Sequence, residues 1–381
     1  MTTVTDTRTA ARPAAPARTG RMYALDGLRL ICALGVAGYH FGDSWRLDGV
    51  RPPKHFLPDV APVLIYGFLG VEVFFLISGF VIATSGWGRT VRSFAVSRAV
   101  RLYPAFWVGV LLTAAVVTAL PVTYGVPVSG QPSIGDVLIN LTMLAEPLNT
   151  PLVDTVYWTL WCEIRFYLLF ACLVGAGLSR KRVATFATWW LVAAVVIPAH
   201  PRSLVTDLVM PDFAPYFIAG VTMSLMRRFG PDRRLGLLLA GCWLVSLQRV
   251  HVRVLDLKPG FAVPAWPAYL LLTIAYGVLL AIALGYTDRL TWRWLATAGA
   301  LTYPFYLLHQ RIGYSLIRTA YAHTGLPAPV LITGAVAVLL TVAWLVHRFV
   351  ERPLAPVLAT LANPSQKKVG STRAPAEHVR S

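Results

Sequence analysis

The sequence predicts an all-α fold, a polytopic transmembrane helix bundle of about ten spans with both termini cytoplasmic. Three observations predict it. The 381 residues are 56% hydrophobic and only 13% charged, with a mean hydropathy of +0.61. A soluble domain of this length carries roughly twice that charge. Apolar stretches long enough to cross a bilayer recur along the chain, and the connections between them alternate between basic and poorly basic, as the positive-inside rule requires.

The stretches lie near 24–41, 62–84, 99–120, 155–177, 184–199, 212–228, 235–250, 267–286, 296–320 and 330–349. The segment 134–146 is too short and too polar to span and reads as an interfacial or re-entrant helix. Basic residues collect in the N-terminal tail, in 85–98, at Arg180-Lys181-Arg182, at Arg227 to Arg234, at Arg289 and Arg293, and after Arg348. The intervening connections are poorer in positive charge, and 121–154 holds no Lys or Arg. Residues 1–20 and 355–381 read as cytoplasmic tails without a fold, leaving one membrane domain over 21–354. No fixed-period repeat is visible, which disfavours a solenoid.

The net charge of +17 would suit nucleic acid, but the cations sit where membrane topology puts them, so no nucleic-acid partner is expected and the partner is the bilayer. Cys32, Cys162, Cys172 and Cys242 all fall in apolar stretches without ligand spacing, so neither a disulfide framework nor a metal site is expected.

Ionisable groups inside spans are costly and mark functional paths. In the first span Arg29 and His40 are eleven residues apart. They share a helix face at a separation of about 16 Å. Arg29 suits an anion, or simply snorkels to the headgroups; His40 can take a proton from a hydroxyl, or simply marks the outer helix end. In the second span Glu72 lies near mid-membrane and needs a partner or a proton, while Ser78-Gly79 suits close helix packing. Before the third span, Arg98 and Arg101 share a face and offer forked donors to phosphate. In the fourth, Glu163 and Tyr167 share a face, and Glu163 is a candidate for orienting a histidine. In the ninth, Pro304 is expected to kink the helix, and His309 is either a second site residue or a bond to a neighbouring helix.

By this topology Arg29, Arg98 and Arg101 lie toward the cytoplasm, Glu72 near the middle, and Glu163, His309 and His40 in the middle or outer half. An anionic donor gripped at the cytoplasmic face needs a long arm to reach the base. Coenzyme A has that form, so the depth pattern suits acyl-CoA as the co-substrate. The same buried charges would also serve a transporter or a flippase of a glycan or lipid intermediate.

These segments together resemble the acyltransferase 3 family of integral membrane O-acyltransferases. The likeness runs from about Tyr23 to Pro353 through DGLR and Arg-x10-His, FFLISGF, F-x3-R-x2-R-L-x-P, W-T-L-W-C-E-x3-Y, Y-P-F-Y-L-L-H and the closing Phe349-Val350-Glu351-Arg352-Pro353. It implies a multi-pass protein of the bacterial cytoplasmic membrane. The implied reaction moves an acyl group, often acetyl, from cytoplasmic acyl-CoA (acetyl-CoA first) to a hydroxyl of a sugar, glycolipid, cell-envelope glycan or macrolide-like antibiotic. It implies His40 as the catalytic residue with Arg29 in the same motif, Arg98 and Arg101 as donor-binding, and Glu163 as support. Direct transfer and an acyl-histidine intermediate both remain open. The chain departs in placing Thr159 where the family commonly has Ser. The stretch after Pro353 is too short for the soluble esterase-like domain that some members carry.

Overall fold

A computed structural model describes residues 21–200, 203–257 and 262–362. Among them there are helices and connections but no strand. Ten helices have sixteen or more residues: α1 (Tyr23–Gly42), α2 (Leu69–Gly86), α3 (Val91–Ala119), α4 (Trp158–Gly175), α5 (Arg180–Val196), α6 (Ala214–Phe229), α7 (Arg233–Asp256), α8 (Trp266–Leu284), α9 (Trp294–Thr324) and α10 (Ala328–Val346). Each overlaps one of the apolar stretches read from the sequence.

Seven segments are long and apolar enough to cross a membrane, those containing α2, α3, α4, α6, α7, α8 and α10. The other three long helices have identifiable reasons to fall short. With 17 residues, α5 is short. Both α1 and α9 carry ionisable side chains on inward faces, which lowers their apolarity without exposing charge to lipid.

Side-chain caps set several starts. Thr90 accepts from the Ser93 N–H and opens α3 at Val91, eight residues before the expected span, so Arg92 and Arg98 are helical. Ser179 and Asp232 cap α5 and α7 in the same way. The expected interfacial segment forms a short helix, Ile134–Asn140, closed by a Ser133–Asp136 capping box. Helix α9 continues through Pro304 as one element. After α10, the residues His347–Glu351 make a π turn that leads into an eleven-residue helix, Arg352–Ala362. The first residues of the expected C-terminal tail are therefore helical; 1–20 and 363–381 lie outside the described residues.

Two helices form the middle of the bundle. Within its most apolar window the segment containing α2 is 83% buried and that containing α6 is 78%, against 22% for α7 and 28% for α10. The α2–α6 contact depends on glycine. A Cβ on Gly79 would collide with the Phe217 carbonyl, and one on Gly220 with the Leu76 carbonyl. This is the close approach that small residues permit between membrane helices. Leu237 and Leu244 on α7 remain exposed, as lipid-facing side chains do. Helix α1 packs between α2 and α9, and α3 packs on α9. The space enclosed by α1, α2, α3, α4 and α9 holds the site.

Candidate active site

Two chambers adjoin inside the bundle. The larger is lined by Arg29 from α1, Ser78 from α2, Arg98 and Arg101 from α3, Glu163 and Tyr167 from α4, and Tyr303 from α9, among others. It encloses about 840 Å³, counting its open side. The smaller holds His40 and Tyr39 from α1, Phe68, Thr155 and Trp158, and Arg253 from α7, and encloses about 330 Å³ on the same measure. Val71 and Tyr306 line both and form the wall between them.

In the larger chamber, six residues singled out from the sequence come together. Glu163 Oε1 accepts a 2.7 Å hydrogen bond from Ser78 Oγ, and the Tyr167 hydroxyl bonds the same carboxylate from one turn away. Neither Arg29 nor Arg101 makes a hydrogen bond or ion pair among the described residues, and Arg98 makes only a 3.3 Å bond to Ser97 Oγ besides lying over Phe94. Three guanidinium groups thus line one void, with Glu163 as the one carboxylate in its lining. Such forked donors facing a cavity fit the phosphates of an anionic substrate.

His40 sits across the wall, in the last turn of α1. Its Nδ1 is 3.1 Å from Ser44 Oγ and 3.1 Å from Gln310 Nε2. Ser44 Oγ is 2.8 Å from the Tyr314 hydroxyl, and Gln310 bonds Thr155 through its other amide end. This ties the ring to α9 and leaves Nε2 as the nitrogen without a protein partner.

Glu163, the candidate for orienting a histidine, has no hydrogen bond to His40. Glu163 belongs to the arginine chamber rather than to the level of the base, because Ser78 and Tyr167 turn its carboxylate toward the cations. Glu72 is 1% exposed, and its Oε1 lies 2.7 Å from Arg253 Nη1. It has the partner its depth demanded, though not the histidine. His309 is fully buried; its Nδ1–H donates to the Tyr306 carbonyl at 2.7 Å, and its ring centroid is 5.2 Å from that of His40. It packs against the base without lining either chamber. Its Nε2 is buried with no partner.

Several residues of the site gave no signal in the sequence. Gln310, Ser44 and Tyr314 are uncharged and belong to no motif, and Arg253 lies far from Glu72 in the chain. The departure at Thr159 is accommodated: its hydroxyl is 3.0 Å from the Tyr306 hydroxyl and 2.9 Å from the Val156 carbonyl, so it fixes the dividing wall. Among the described residues no disulfide joins the four cysteines, and no cluster of His, Cys, Asp or Glu has the makings of a metal site.

A sequence model of the acyltransferase domain family matches residues 22–348. The chain is 28% identical to acyltransferase MdmB of Streptomyces mycarofaciens, over 89% of this chain and 92% of that protein. It is 26% identical to O-acetyltransferase OatA of Staphylococcus aureus, over 87% of this chain but only 56% of that one, so it spans about half of OatA. A weaker likeness, 25% over 48% of the chain, joins it to the regulator of hypoxia-inducible factor 1 of Caenorhabditis elegans, of which it covers 40%. No solved structure matches. These likenesses and the seven apolar helices mark an integral membrane enzyme with O-acyltransferase activity, and the chain belongs to the acyltransferase 3 family.

Proposed function

We propose that this chain takes an acyl group, acetyl first, from cytoplasmic acyl-CoA and moves it to a hydroxyl of a sugar, glycolipid, cell-envelope glycan or macrolide-like scaffold. The observation that carries the reading is the pair of adjoining chambers, one lined by unpaired arginines and the other by a histidine held at Nδ1. In this reading the chain spans the bacterial cytoplasmic membrane ten times, with both termini in the cytoplasm. Ten long helices and basic residues in alternate connections support that topology. It places the start of α1, and with it Arg29, toward the cytoplasm.

Arg29, Arg98 and Arg101 hold the phosphates of the donor, and Glu163, fixed by Ser78 and Tyr167, keeps the cluster from carrying three uncompensated charges. The thioester passes the wall at Tyr306 and meets His40. Nε2 of His40 takes the proton of the acceptor hydroxyl as that oxygen attacks the thioester carbonyl. The carbon–sulfur bond breaks, and His40 returns the proton to the departing thiolate. For Nε2 to act as base, the ring proton sits on Nδ1 and is donated to Ser44 Oγ or to Gln310 turned carbonyl-first; a carboxamide offers either end.

The test is label transfer from radioactive acetyl-CoA in membranes bearing the wild-type protein or His40→Ala, with host extract as acceptor pool. We expect extractable label that falls at least about 100-fold in the variant. Full transfer by folded His40→Ala would end the proposal.

A further inference from the structure

We propose that the Glu72–Arg253 ion pair makes the His40 chamber an acceptor site for an uncharged, hydroxyl-bearing ring and turns anionic acceptors away. This rests on the acyl-transfer reading, which requires a hydroxyl beside His40, and adds the charge class of the molecule that carries it.

The two chambers treat their cations differently. In the donor chamber three guanidinium groups face the void, and none is ion-paired among the described residues. In the acceptor chamber Arg253 is the one cation of the lining, and its Nη1 is already 2.7 Å from Glu72 Oε1. The same guanidinium lies 5.2 Å from the Phe68 ring centroid, so one face is covered as well. Glu72 is 1% exposed, and its second oxygen, Oε2, is buried without a hydrogen-bond partner. An incoming carboxylate or phosphate on the remaining N–H groups would stand beside the buried Glu72 carboxylate, which already compensates the one cation of the lining, so a second negative charge is left without a counter-charge. Uncompensated buried charge is strongly unfavourable, and like-charge juxtaposition is how interfaces reject wrong partners.

A neutral ring meets no such barrier. Tyr39, Phe68, Trp158 and Tyr306 supply ring faces and edges, and Arg253 keeps N–H groups for hydroxyl oxygens. A few polar groups in a largely apolar concavity are the usual make-up of a small-molecule site. The pair therefore sorts by charge: the anionic co-substrate is drawn to one chamber, and the neutral one is admitted to the other.

The experiment measures equilibrium binding of radiolabelled octyl glucoside and octyl glucuronide, which differ by one carboxylate, to the full chain in lipid nanodiscs. Acetyl transfer to both is followed in parallel. The wild type should bind the glucoside at least about tenfold more tightly than the glucuronide. Glu72→Gln leaves Arg253 unpaired and should shift that ratio at least about tenfold toward the glucuronide. Arg253→Leu should weaken the glucoside and sharpen the rejection of the glucuronide, since Glu72 then stands alone; this arm reads the proposal even where Glu72→Gln does not fold. Equal wild-type affinity for the two, or a ratio unmoved in the folded variants, overturns the inference. Binding does not need turnover. A charge switch in binding without acetyl transfer supports the sorting and counts only against this glucoside as the acylated acceptor, the acyl-transfer reading being tested by label transfer to the host extract, whereas transfer without a charge switch removes the sorting alone.

Discussion

Arginines occur at both ends of the bundle, and the two groups behave in opposite ways. Arg311 and Arg318, in the second half of α9, spend their N–H groups on backbone carbonyls. Arg311 donates to Val153 at 2.8 Å and to Gly130 at 2.7 Å, and its backbone N–H reaches Asp154 Oδ2 at 3.0 Å. Arg318 donates to Leu47, Tyr124 and Arg46 carbonyls and lies over the Trp45 ring at 5.4 Å. Together they fasten the 44–52 and 121–154 connections to the helices. Arg29 and Arg101, by contrast, have no bonded partner among the described residues and face a cavity. A guanidinium saturated by carbonyls is structural material; one left open beside a void is a receptor.

If this contrast holds, replacing the saturated arginines damages the fold and replacing the open ones damages binding. The largest effect is expected from Arg311→Leu. It strands the Val153 and Gly130 carbonyls and leaves the fully buried Asp154 only its backbone donors, so it should lower stability by about 3 kcal/mol, read as a fall in thermal midpoint, while the folded fraction keeps its donor KM. Next is Arg101→Gln. Loss of one charge-assisted bond should raise the acyl-CoA KM about tenfold, with the thermal midpoint unchanged. An unfolding effect in Arg101→Gln, or a donor-KM effect in Arg311→Leu, breaks the contrast.

Gln310 sharpens it further, because it is the chain neighbour of Arg311 and yet reaches the His40 ring. Gln310→Leu should lower kcat about tenfold through misplacement of the His40 ring, without moving the acyl-CoA KM. A change confined to stability would assign Gln310 to the fastening group instead. Thr159→Ser should be the mildest. The hydroxyl that bonds Tyr306 is retained and only a buried methyl is lost, so stability should change by about 1 kcal/mol and transfer by no more than about twofold.

The sequence carried the helices well, because a twenty-residue apolar run is a local property that needs no tertiary information. It also carried the arginine chamber: Arg29, Arg98, Arg101, Glu163, Ser78 and Tyr167 lie in separate motifs, yet each announces itself as a polar group where the bilayer penalises one. The histidine's surroundings were not legible. Ser44, Gln310 and Tyr314 are neutral residues without characteristic spacing, and nothing local distinguishes them from the polar residues that end many helices. Likewise the depth of Glu72 demanded a partner, but only the packed bundle identifies Arg253 as that partner. Arg311 and Arg318 are the inverse case. They read as ordinary members of a polar helix end, and their carbonyl partners lie on connections whose paths the sequence does not specify.

Tyr306 has a consequence outside catalysis. If the two chambers open to opposite faces of the membrane, only the wall of Val71 and Tyr306 keeps the bundle from being a pore. Tyr306 is buried between them, its hydroxyl tied to Thr159 and its ring set edge-on to Phe74 at 5.6 Å. On that arrangement the ring is also an electrical seal, and the tightness of the membrane to protons and ions would rest on its staying in place between turnovers.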